Sequence, residues 1–128
     1  MPVRVLLLES DDRERAAMLG ALEQAGFVVR TATDPESAMA GIRERWPDVA
    51  LLGLNGPGCD AMDLLWQVAT AKRPVPVVIT KGPPGWSPRL TAWLSRGFVE
   101  DTPRGCRLVR AVVAAISGLS GAYLPPVA

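Results

Sequence analysis

Histidine is absent from the chain. That removes the usual general base near neutral pH and the commonest neutral metal ligand. Catalysis through a Ser-His or Cys-His pair is therefore excluded within these 128 residues. Cysteine is scarce: Cys59 and Cys106 stand alone, far apart and in no metal-ligand spacing. They read as two reduced thiols of a cytosolic protein rather than as a disulfide framework. A strong charge imbalance is missing too. The net charge is +1, so no broad field points to nucleic acid or to an acidic surface. Long apolar runs are also missing. The opening MPVRVLLLES has one arginine and a short apolar run before its acids, too little for a signal peptide or a membrane span. The expected location is cytoplasmic, with no membrane partner, and there is no internal repeat or low-complexity segment.

What is present suits one domain, since a hydrophobic fraction of 48% is enough to build a core without staples. The apolar run Val3 to Leu8 reads as a strand buried on both faces. A helix follows, with Met18, Leu22 and Ala25 at helical spacing and Gly26 as a left-handed cap. Phe27 to Ala32 is a second strand. Asp34-Pro35-Glu36 opens a second helix with a capping acid and a first-turn proline; Met39, Ile42 and Trp46 face inward, and Pro47 stops it.

Val49 to Leu54 reads as a third buried strand, followed by the loop Asn55 to Asp60. A third helix is predicted from Ala61 to Lys72, with Leu65, Val68 and Ala69 inward. Pro74 to Thr80 is a fourth strand, and KGPPGW a rigid turn that lacks the strand–GxxxxGK–helix layout of a phosphate loop. Ser87-Pro88 starts a short fourth helix with Leu90, Trp93 and Leu94 on one side. Gly97 to Glu100 is a fifth strand. Pro103 to Ser117 is the last helix, with Leu108, Val109, Val112, Val113 and Ile116 inward. Strands alternating with helices in this way predict an α/β fold, a parallel sheet covered on both faces. Sites in such sheets form at the carboxyl ends of the strands. That edge should carry Glu9, Ser10, Asp11, Gly53, Thr80, Lys81 and Thr102.

Two stretches carry a family resemblance. PDVALLGLNGPGCDAMDLL follows the pattern of apolar strand, acceptor aspartate, Met-Pro-Gly-like loop and Asp-Gly seen in response-regulator receiver domains. VRVLLLESDDRER is similar to the first strand of those domains with its acidic pair. The resemblance covers Pro2 to about Ser117 and implies a flavodoxin-like (βα)5 three-layer sandwich, a five-stranded parallel sheet of order 2-1-3-4-5. It implies a receiver-like domain over residues 1–117, with 118–128 as a tail or linker.

The family's chemistry uses an acceptor aspartate, an acidic pair holding magnesium, a hydroxyl and a lysine. Carried over by position, the acceptor is Gly53, which has no side chain, and the acidic pair is Glu9-Ser10. Asp11 is next along, but a one-residue shift should aim it elsewhere. Thr80 matches the hydroxyl, with Lys81 as the alternative one residue on, and Thr102 stands where the lysine is usual. Asp60 is expected to cap the third helix rather than replace the acceptor. The degenerate pocket is therefore Glu9, Ser10, Gly53, Thr80 and Thr102. No catalytic residue, metal ligand or cofactor is expected, and the chain does not read as an enzyme. Glu9, Asp11 and Asp12 read as solvated or capping acids.

The end of the chain, ISGLSGAYLPPVA, adds a second likeness. Ala111–Ala115 and Tyr123-Leu124-Pro125-Pro126 resemble the junction that precedes a helix-turn-helix domain in NarL/FixJ-type regulators. DNA would be contacted only by such a C-terminal domain, absent from this sequence. The first functional reading is a pseudo-receiver acting by protein–protein contact or self-dimerisation. Its surface would be the fourth-helix/fifth-strand/fifth-helix face, where Trp86, Trp93, Phe98, Arg107 and Arg110 are candidates and tryptophan is a natural anchor. The alternative is a small-molecule sensor whose ligand sits among Ser10, Asp11, Asn55 and Lys81, in space vacated at Gly53.

Overall fold

The computed structural model describes residues 2–71, 75–87, 97–99, 105–116 and 123–124, without the side chains of 97–99, 105–107 and 123–124. In chain order the elements are β1 (Arg4–Leu8), α1 (Asp12–Gln24), β2 (Val28–Ala32), α2 (Pro35–Arg43), β3 (Val49–Gly53), α3 (Ala61–Ala69), β4 (Val77–Lys81), β5 (Gly97–Val99), α4 (Gly105–Ile116) and β6 (Tyr123–Leu124). From residue 88 on, the predicted helix with Leu90, Trp93 and Leu94 lies outside the described residues, and so does Thr102.

The strands form one parallel sheet in the order β2-β1-β3-β4-β5-β6. The first five follow the expected order. The sixth is a difference: Tyr123 and Leu124, expected in a tail, pair with Phe98 and Val99 and extend the sheet edge.

Alternation along the strands divides the core in two, because successive side chains point to opposite faces. Leu6, Leu8, Ala50, Leu52, Val77 and Ile79 meet α2 and α3 on one face. Val5, Leu7, Val49, Leu51 and Val78 meet α1 and α4 on the other. β1 and β3 lie inside the sheet and are buried on both faces, as their unbroken apolar runs predict.

Caps set the helix starts. Asp11, Asp34 and Asp60 each accept a hydrogen bond from the backbone N–H three residues on, at Glu14, Ser37 and Asp63. Gly26 follows α1 with φ +93°, the left-handed conformation read from the sequence.

Helix faces differ from expectation in phase. In α3 the buried residues are Ala61, Leu64 and Val68, whereas Leu65 is half-buried and Ala69 exposed. The helix also stops at Ala69 rather than reaching Lys72. There the Thr70 hydroxyl donates to the Trp66 carbonyl oxygen at 2.8 Å, and residue 70 caps the helix. In α4 the sheet-facing set is Leu108, Ala111, Val112 and Ala115, the i, i+3, i+4, i+7 stripe. Val113 and Ile116, expected inside, are exposed. Ala25, the C-cap of α1, is likewise exposed rather than inward.

Candidate functional site

The carboxyl ends of β1, β3 and β4 meet at Glu9, Gly53 and Thr80. Pairing of β3 with β4 runs Leu52 to Ile79 and then Gly53 to Lys81, so Thr80 is passed over in a bulge. Bulges of this kind re-aim side chains beside functional sites. The Leu54 N–H donates to the Lys81 carbonyl oxygen at 2.8 Å and fixes the shifted register.

Gly53 is fully enclosed. A Cβ there would stand 3.1 Å from the Leu8 carbonyl oxygen, 3.2 Å from Glu9 Oε1 and 3.6 Å from Thr80 Oγ1. Any side chain at residue 53 would thus meet the Glu9 carboxylate, the Leu8 backbone and the Thr80 hydroxyl. A groove of about 250 Å3 lies elsewhere, between α2 and α3, lined by residues that include Glu36, Met39, Asp60 and Asp63.

Glu9 is 1% exposed; one of its oxygens is hydrogen-bonded, and the other is ion-paired without a hydrogen bond among the described residues. Oε2 accepts the Asp11 N–H at 3.0 Å. Oε1 faces the Lys81 ammonium at 3.3 Å. The same ammonium pairs with Glu14 Oε2 on α1, so one lysine bridges two carboxylates. Burying a carboxylate without a counter-charge is costly, and Lys81 supplies that charge. Thr80 is 2% exposed, and its hydroxyl has no hydrogen-bond partner among the described residues.

The remaining candidates sit as follows. Ser10 is exposed at the β1 end, with Gly56 packed on it: a Cβ on Gly56 would be 3.1 Å from Ser10 Oγ. Pro57 and Gly58 (φ +70°) turn the loop, and the Cys59 N–H donates to the Gly56 carbonyl oxygen at 3.2 Å. Burial pushes the Cys59 thiol pKa up, and the charge of Asp60 adds to this. Asp11 caps α1, its carboxylate accepting the Glu14 N–H, and Asn55 is exposed. Trp86, expected on the surface, is half-buried against the α2/α3 core. Arg110 is exposed on α4, whereas Trp93 and the side chains of Phe98 and Arg107 lie outside the described residues.

Sequence reading missed Met62 and Trp66. They are 57% and 69% exposed on the outer face of α3. The signal was available: α3 carries apolar residues nearly all round, more than one inward stripe can bury.

The response regulator receiver domain family model matches residues 5–82. The chain belongs to that family. As a receiver it is 33% identical, over 90% of its length, to a protein-glutamate methylesterase/protein-glutamine glutaminase from Anaeromyxobacter dehalogenans. It is 37% identical over 59% of its length to the transcriptional regulatory protein CseB of Streptomyces avermitilis. The chain spans only about a third of these relatives, 36% and 32%. The receiver domain of Methylobacillus flagellatus has the same fold, with a TM-score of 0.77 at 16% identity over 90% of this chain and 99% of that one.

Magnesium is the cation the family implies, and the residues of this receiver do not fit it. Oxygen-rich coordination with carboxylate ligands is what Mg2+ requires. Here Gly53 offers no ligand, Ser10 a neutral hydroxyl only, and the Asp11 carboxylate is committed to the α1 cap. Glu9 already faces an ammonium. No helix among the described residues is long and apolar enough to cross a membrane.

Proposed function

We propose that this receiver is not switched by aspartyl phosphorylation and acts in signalling and transcription regulation through protein–protein contacts. The observation that carries this reading is at the end of β3: Gly53 supplies no nucleophile, and Glu9 Oε1 lies 3.2 Å from where its Cβ would be. Acyl-phosphate formation needs a carboxylate there, and Asp60 is occupied as the cap of α3. The pocket is then a structural joint, and output depends on surfaces rather than on a phosphoryl group.

Receiver domains interact with partner proteins such as histidine kinases and with effector domains. In this chain the surface next to the sheet edge is favoured, because Arg110, Val113 and Ile116 are exposed together on α4. The likeness of Tyr123-Leu124-Pro125-Pro126 to a NarL/FixJ-type junction supports a setting in a DNA-binding regulator. Incubation with a small phosphodonor and MgCl2, followed by intact mass measurement, tests the reading. The expected mass is unchanged; a gain of one phosphoryl group overturns it.

A further inference from the structure

We propose that Lys81 is a covalently tethered counterion that takes the place of a divalent cation at the acidic end of this receiver. Three observations converge on it. Glu9 is a buried carboxylate with one oxygen committed to a backbone N–H, so its other oxygen needs a cation. The ammonium of Lys81 stands 3.3 Å from that oxygen and also pairs with Glu14. The bulge at Thr80 places Lys81, rather than Thr80, opposite Gly53, so the backbone itself delivers the lysine to this spot.

The consequence is electrostatic. One ammonium between two carboxylates leaves a net charge of −1 on these three groups; Arg15, whose guanidinium donates to the Glu9 carbonyl oxygen at 3.0 Å and pairs with Asp12, adds a further positive charge alongside, and a second cation in the same space would be repelled by both. A metal ion would gain too little from the residual charge to displace a tethered partner. The bridge also ties the end of β4 to β1 and α1, so the joint is held without an ion from solution. The same pocket underlies the reading above, but cation uptake and phosphoryl transfer are separate readouts, and either claim can fail alone.

The test is thermal unfolding of the full chain with and without MgCl2, with Mn2+ titration by electron paramagnetic resonance as a direct measure of binding. Wild type is expected to show no Tm shift with MgCl2 and no Mn2+ uptake. Lys81→Met keeps the unbranched stem, one atom shorter, and removes the charge, so Glu9 and Glu14 lose their shared counter-charge. It should melt lower in metal-free buffer, bind Mn2+, and regain about 3 °C or more with MgCl2, as a ligand that binds only the folded state must do. Lys81→Arg keeps the charge and should behave like wild type. A Tm rise in wild type with MgCl2 would overturn the proposal, and so would a Lys81→Met protein as indifferent to both ions as wild type. If Lys81→Met does not fold in metal-free buffer, refolding with and without MgCl2 decides: folding only with the ion supports the tethered-counterion role, and folding in neither condition refutes it.

Discussion

A methyl group at residue 53 would stand 3.1 Å from the Leu8 carbonyl oxygen and 3.2 Å from Glu9 Oε1. Both must give by a few tenths of an ångström, which a side-chain end does more cheaply than a backbone carbonyl inside a sheet. Gly53→Ala is therefore expected to destabilise by about 1 kcal/mol, as crowding in a packed interior does, even though glycine inside a strand is usually the weaker choice. Urea unfolding of the two proteins measures this, and a more stable alanine variant would mean that the pocket is looser than described. That residue 53 carries no nucleophile was legible in the sequence, because it is a glycine. What stands beside it was not. In the sequence Glu9 stands as half of a broken acidic pair and Lys81 as an alternative match to the hydroxyl position. Their pairing depends on a one-residue bulge, which no periodicity along a single strand reports.

Among the elements, the helix starts were the most legible part, because capping is local chemistry written in consecutive residues. Asp60 shows how far this goes: it follows the Gly-Pro-Gly turn and accepts the Asp63 N–H at 3.0 Å. Asp60→Ala should cost about 1 kcal/mol in a chemical denaturation curve. If no loss is seen, α3 starts without that cap. Asp34 gives a pH signature. Hydrogen bonds from the Ser37 backbone and hydroxyl hold its carboxyl below the usual range. A carboxyl with a lowered folded pKa adds stability above its unfolded value, and that stability is lost as pH falls through the folded pKa. Asp34→Asn should accordingly flatten the acid limb of the stability–pH profile; an unchanged acid limb would show that the cap does not titrate with folding. Helix faces were less legible than helix starts. In α3 and α4 the apolar residues outnumber one stripe, so the inward set depends on which phase packs on the sheet. That ambiguity hid Trp66 on α3 and the exposed Val113 and Ile116 on α4.

For the whole molecule, alternation of apolar strands with amphipathic helices was enough to define the layers, since a doubly covered parallel sheet is the arrangement that buries all of them. Tyr123 and Leu124 were the exception: two residues are too short to show a strand pattern, and they pair only because an edge is present beside them. Receivers ordinarily exchange between two populations, and a ligand shifts them only through differential affinity. On the reading proposed above, with Gly53 at the acceptor position and Lys81 bridging Glu9 and Glu14, neither a phosphoryl group nor a divalent ion has a differential contact to make at this end of the sheet. The most direct measurement is a pair of amide 1H–15N NMR spectra of the chain, before and after addition of MgCl2 with a small phosphodonor. The account predicts superimposable spectra at Glu9, Gly53, Thr80 and Lys81. Shifts or new peaks concentrated at those residues would contradict it, because they would show that the joint opens to the very ligands it is argued to have replaced.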